Sequence, residues 1–175
     1  MAVRKFLILF ISIVLARLVF GQDPNTNSVK IGTKSIFIID SQKVKSSDLT
    51  KFNPDSITTV IILNGSSAIK LYGDSAKYGV CIIETRSFAR GKFISFFRKA
   101  SKSYDSLFAE IGSDTAFTYI INDRVQEGNY EGNLSAINET AFLGLEILTK
   151  EQVYAKYSVN SKQFGILIHS KNPKN

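Results

Sequence analysis

Three stretches of this chain occur twice in the same order, and that repetition limits the fold more than any other feature of the sequence. SIFIIDS at 35–41 is echoed by FTYIIND at 117–123, VIILNGSSAIKLY at 60–72 by LEILTKEQVYAKY at 145–157, and YGVCIIETR at 78–86 by FGILIHSK at 164–171. Self-similarity of this kind points to two supersecondary units built alike. Tyr72 aligns with Tyr157 without a gap from the preceding run, and a one-residue insertion then brings Gly79 onto Gly165. The second copy has Ser158 opposite Gly73, and Glu146 in its middle run implies a more exposed face.

Within the first copy, Ile36–Ile39, Val60–Leu63 and Val80–Ile83 are short β-branched runs, each bounded by polar or turn residues. That pattern predicts central strands covered on both faces. Between the first two, Ser46 or Ser47 can cap a short helix and Pro54 suits the first turn of another. Between the second and third, Ser66 or Ser67 can open a helix with Ala68, Ile69, Leu71 and Tyr72 facing the sheet. Gly73 ends that helix, because glycine alone takes the left-handed closing conformation without steric cost. Gly79 meets a similar backbone need before the third strand. The order is therefore β, α, β, α, β.

From Gly91 to Ile111 the apolar residues Phe93, Phe96, Phe97, Ala100, Tyr104, Leu107, Phe108 and Ile111 recur at steps of three and four. This is one stripe of an amphipathic helix, with a break expected near Ser101 or Ser103. Arg90, Lys92, Arg98, Lys99 and Lys102 make its other face basic, so residues 90–108 offer contact with an anionic membrane surface as an alternative to packing on a sheet.

The N-terminus reads MAVRKFLILFISIVLARLVFGQ, with Arg4 and Lys5 ahead of the nine-residue apolar run Phe6 to Val14. That is the anatomy of a secretory signal peptide, cleaved near Gly21/Gln22. The run is shorter than the roughly 20 apolar residues a spanning helix needs. No cysteine stands near the junction to carry lipid. Removing residues 1–21 leaves 19 basic residues against 15 acidic, so the net charge falls from +7 to +4. Much of the basicity belongs to the targeting segment, and no nucleic-acid partner is expected. The expected location is periplasmic, soluble or peripheral to the outer membrane.

Residues able to carry chemistry are few. Cys81 is the sole cysteine, which rules out an intramolecular disulfide, and its place in Val80–Ile83 predicts a buried, inert thiol. His169 is the sole histidine, on an alternating strand with its side chain outward. One His and one Cys cannot form the usual metal clusters, and no calcium-loop spacing is present, so no metal and no cofactor are expected. Asp40, Asp48, Asp55 and Asp74 are scattered, as caps and surface residues are. The sequence carries no phosphate loop, dinucleotide fingerprint or nucleophile elbow, and no catalytic residue is assigned.

The ordered set Asn53, Pro54, Ile57; Leu63, Asn64, Gly65; Ser67, Ala68, Tyr72, Gly73; Gly79, Val80, Ile82 resembles the end of the plug domain of TonB-dependent outer-membrane receptors, particularly those of Bacteroidetes nutrient-uptake systems. The preceding SIFIIDSQKV is similar to that family's strand bearing an aspartate before a turn. The likeness covers about 50 of the 154 residues after the signal peptide closely, and the second copy loosely. These residues are turn glycines, a cap and core strands, so what they imply is a fold. The chain has no room for the receptors' large barrel.

The resulting expectation is an α+β chain. A signal peptide (1–21) precedes one plug-like unit (29–86), an amphipathic helical connector (87–114), a degenerate second unit (115–171) and a polar tail (172–175). The expected function is that of a non-enzymatic interaction module of the bacterial envelope. Its expected partner is an envelope protein, a TonB-dependent receptor or an energy-transducing protein. The alternative is a small periplasmic hydrolase or ligand-binding protein whose site converges only in three dimensions.

Overall fold

The computed structural model describes residue 32, residues 34–160 and residues 162–171. The expected signal peptide and the tail from 172 lie outside them. The chain is α+β, with two four-stranded mixed sheets and several helices. It divides into two compact units between Thr85 and Arg86.

In the first unit, β1 (Ile36–Ile39) turns back into β2 (Gln42–Val44). Asp40 and Ser41 make the turn with φ of 49° and 68°, the left-handed pair that a tight hairpin requires. Short helical turns at Ser46–Lys51 and Pro54–Ser56, where short helices were expected, lead to β3 (Ile57–Leu63). Helix α1 (Gly65–Tyr72) and the short turn Asp74–Tyr78 follow, then β4 (Val80–Thr85). The strand order is β2-β1-β4-β3, with β1 parallel to β4 and β3 antiparallel to it.

Two of the three apolar runs are therefore central. The third is not: Val60–Leu63 lies in β3, at the edge of the sheet, and Ile61 is 45% exposed. Alternation along β1 and β4 sends Ile36, Ile38, Val80 and Ile82 to one face, under Ala68 of α1 and Ala76. Phe37, Ile39, Cys81 and Ile83 go to the other, under Leu49 and Phe52. Of the four α1 residues expected to face the sheet only Ala68 is buried; Ile69, Leu71 and Tyr72 are 38%, 66% and 37% exposed. An eight-residue helix touches the sheet over about one turn, and the small Ala68 is the point of contact. Gly73 closes α1 at φ 74°. Gly79 has φ 93°, and a side chain there would press on the Leu63 carbonyl at 3.2 Å.

The second unit opens with α2 (Arg86–Ala100) and α3 (Lys102–Ile111). The break falls at Ser101, whose hydroxyl accepts from the Tyr104 amide and so caps α3. Then come β5 (Phe117–Ile121), β6 (Arg124–Val125), α4 (Glu131–Ser135), β7 (Phe142–Thr149), α5 (Lys150–Tyr157) and β8 (Phe164–Ser170). The order β6-β5-β8-β7 matches the first sheet strand for strand. So do the left-handed hairpin pair, here Asn122 and Asp123, and a bulge before the third residue of β3 and β7.

Pairing registers correct one detail of the alignment. Leu63 lies opposite Val80 as Leu148 lies opposite Gly165, and Ile36 opposite Val80 as Thr118 opposite Gly165. Gly165 thus occupies the place of Val80, not of Gly79, and no insertion is needed. The compensation is in the helix above: Ala68 over Val80 becomes Val153 over Gly165. Ser158, in Gly73's place, keeps the left-handed ending at φ 56°.

The helical segment expected as a connector packs as part of this unit. Phe93, Phe97 and Tyr104 are buried against Phe117, Tyr119, Ile166 and Ile168, on the face that only short turns cover in the first unit. The opposite face holds Ile120, Leu167 and Val153.

Candidate functional site

The residues weighed for chemistry are held apart by local roles. Cys81 is 5% exposed and burial pushes its thiol up to about 11, which leaves it an inert core group. His169 projects from β8 with its ring half exposed, its Nε2 2.9 Å from Glu146 on β7. Asp40 is a backbone clamp: its carboxylate accepts from the Thr85 amide and hydroxyl, both at 2.8 Å. Asn122 makes the matching clamp in the second unit, accepting from the Ser170 amide and donating to its carbonyl, both at 2.9 Å. Asp48 pairs with Lys51 at 2.7 Å, and that ammonium holds its carboxyl below the usual range. Asp55 and Asp74 are exposed. Among the described residues no three His, Cys, Asp or Glu side chains are gathered as metal ligands.

The sequence reading missed a buried polar cluster in the second unit. Asp114 is 3% exposed and accepts from Arg90 through Nε at 3.0 Å and Nη2 at 2.7 Å. The Tyr119 hydroxyl donates to Asp114 at 3.4 Å and lies 2.8 Å from the Tyr104 hydroxyl. Burial pushes Tyr104 up to about 12 and Tyr119 further upward, so both phenols stay protonated at any ordinary pH. The two phenols stay neutral, and the Asp114 carboxylate is held by the Arg90 guanidinium. The cluster ties α2 and α3 to β5. Arg90 had the look of one more solvated cation on a basic helix, and nothing in local sequence spacing joins it to Asp114.

Strand edges and apolar side chains also lie open on the surface. β3 and β7 are the longest edge strands, and they differ in one respect. β7 carries Glu146 at its middle, the kind of charge that discourages pairing with another chain. β3 reads ITTVIIL and carries no charge. Ile61 shares the face of Leu63 and so of α1, where Ile69, Leu71 and Tyr72 are exposed. Of seven large apolar side chains exposed among the described residues, five belong to the first unit. That concentration marks the first unit as the stickier half. In the second, Phe93, Phe96 and Phe97 of α2 are spent on the core.

No known protein family, curated protein or solved structure matches the chain.

Proposed function

We propose that this protein is an exported, non-enzymatic interaction module of the bacterial envelope, built from two copies of one plug-like unit, that engages a TonB-dependent receptor or its energy-transducing partner. The observation that carries the reading is the uncharged edge of β3 beside the exposed apolar residues of α1. An unguarded edge strand offers a row of unpaired backbone donors and acceptors, and an extended partner segment can add to it as one more strand.

The plug-like identity is supported by where the resembling residues fall. Asn53 caps a turn, Gly73 ends α1, Gly79 makes room for the Leu63 carbonyl, and Val80 and Ile82 line the core. Each serves the backbone or the packing, as residues of a folding signature should. Descent of both units from one copy is supported by their common strand order, pairing register, hairpin turn and strand-end clamp. Export rests on the basic and apolar start of the chain.

The test is crosslinked affinity capture from the native envelope, comparing the tagged protein with its Ile61→Lys variant. A TonB-dependent receptor or energy-transducing protein should come down with the former and be lost with the latter. Recovery of neither would defeat the proposal and revive a hydrolase or ligand-binding reading.

A further inference from the structure

We infer that the second unit binds a small organic carboxylate in a cavity at the end of its parallel strand pair. The cavity, about 370 Å³, opens where β5 and β8 both terminate, at Asn122 and Ser170. The ends of adjacent parallel strands are a recurrent place for ligands, because the connecting segments diverge there and leave a crevice. Its volume lies in the lower part of the range for small-molecule pockets.

Two cations line it, Arg124 of β6 and Lys171 just past β8. Neither is in an ion pair among the described residues. No acidic residue lines the cavity with them. The wall between is fixed by amides. Asn133 donates to Gln126 at 3.1 Å, and Gln126 donates to the Arg124 carbonyl at 2.9 Å. Asn122 is locked to Ser170 on both sides of its amide. The wall is preformed, and among the described residues the eight N–H donors of the guanidinium and ammonium have no hydrogen-bond partner.

The first unit shows what this end looks like without such a site. There the clamp residue is Asp40, a carboxylate, and the residue facing Ile39 across the hairpin is Gln42. In the second unit the same two positions are Asn122 and Arg124, the latter facing Ile121. Both changes move the local charge in the positive direction, and neither is needed for the fold, since the first unit forms the same hairpin and clamp without them. Ile121, Ala136, Ile137 and Ala141 give the cavity an apolar wall. A planar guanidinium fork matches a carboxylate, and the apolar wall suits an aliphatic group beside it.

The test is an NMR titration of the protein with N-acetylleucine, alongside N-acetylleucinamide and inorganic phosphate. The acid should shift the backbone amides of Arg124, Asn133 and Lys171 saturably, the neutral amide should not, and phosphate should bind more weakly than the acid. Arg124→Gln should weaken binding at least tenfold and Lys171→Gln several-fold, whereas Lys99→Gln, an exposed cation on α2, should leave it unchanged. No shift with the acid, equal shifts with acid and amide, or tighter binding of phosphate would overturn the assignment. This inference stands apart from the edge-strand reading, since a chain that captures no partner could still bind the acid.

Discussion

Gly165 and Val153 in one unit, and Val80 and Ala68 in the other, solve one packing problem with the volumes exchanged. A methyl at Gly165 would run into Val153 and come within 3.3 Å of the Leu148 side chain. Interiors packed to crystal density leave little room for that, and overpacking costs about 1–3 kcal/mol. Gly165→Ala should lower the unfolding free energy measured in urea by that amount. Adding Val153→Ala should recover part of the loss, because the pair then approaches the arrangement of the first unit; strictly additive losses would show that the two sites do not share the space. The exchange is visible in the sequence only once the register is known. Read as a string, FGILIHSK matches YGVCIIETR glycine to glycine, and that match shifts the strand by one residue.

The titrating core groups also belong to this scale. Cys81 is raised from its usual 9.0 to about 11 and Tyr104 from 10.0 to about 12, both through burial of the form that would be charged. For a group whose folded value is raised, stability is fully present below the unfolded value and is lost as pH climbs to the folded one. The protein should hold its stability up to about pH 9 and lose it steeply between 9 and 12. Each of the two groups should contribute roughly 2–3 kcal/mol to the total fall. Cys81→Val should remove the earlier part of it, which chemical denaturation at a series of pH values would reveal.

Among the elements, central strands were legible and edges were not. Ile36–Ile39 and Val80–Ile83 sit where their apolar runs put them, with alternate side chains filling both faces. Val60–Leu63 has the same composition but lies at the edge, because which strand ends a sheet depends on pairing partners far away in sequence. The hairpin strands β2 and β6 escaped notice since three and two residues carry no periodicity. Their turns did leave a trace in Asp40–Ser41 and Asn122–Asp123, residue types that tolerate the left-handed region. The long amphipathic stripe was legible, break included, except that Ala100 is exposed and the helix starts at Arg86, and its tie to Asp114 left no trace in local spacing. Asp114→Asn should cost about 1–3 kcal/mol, less than for a fully buried pair because Arg90 is 36% exposed and can turn to water. Amide hydrogen exchange should show α2 loosening first; uniform loss of protection would mean the cluster does not anchor that helix.

At the scale of the whole molecule, the two units share a plan and differ in how much core they own. The second gathers nine buried residues, five of them aromatic rings from α2, α3 and β5, into one cluster. The first divides its core between two clusters of four, roofed by single turns and one short helix. Small domains with thin cores are marginal alone. Residues 86–171 expressed by themselves should unfold cooperatively, whereas residues 34–85 should show little fixed structure; the reverse result would contradict this division of stability. The stronger unit also holds the basic cavity, while the weaker one exposes the apolar edge.

That edge carries the functional claim, so it is the place to measure. A photo-crosslinking amino acid at Ile61, compared with one at the exposed Glu110 of α3, would report what touches β3 in the living envelope. The expected result is a crosslink from position 61 alone, to a TonB-dependent receptor or an energy-transducing protein. Equal labelling from both positions, or none from 61, would contradict the account.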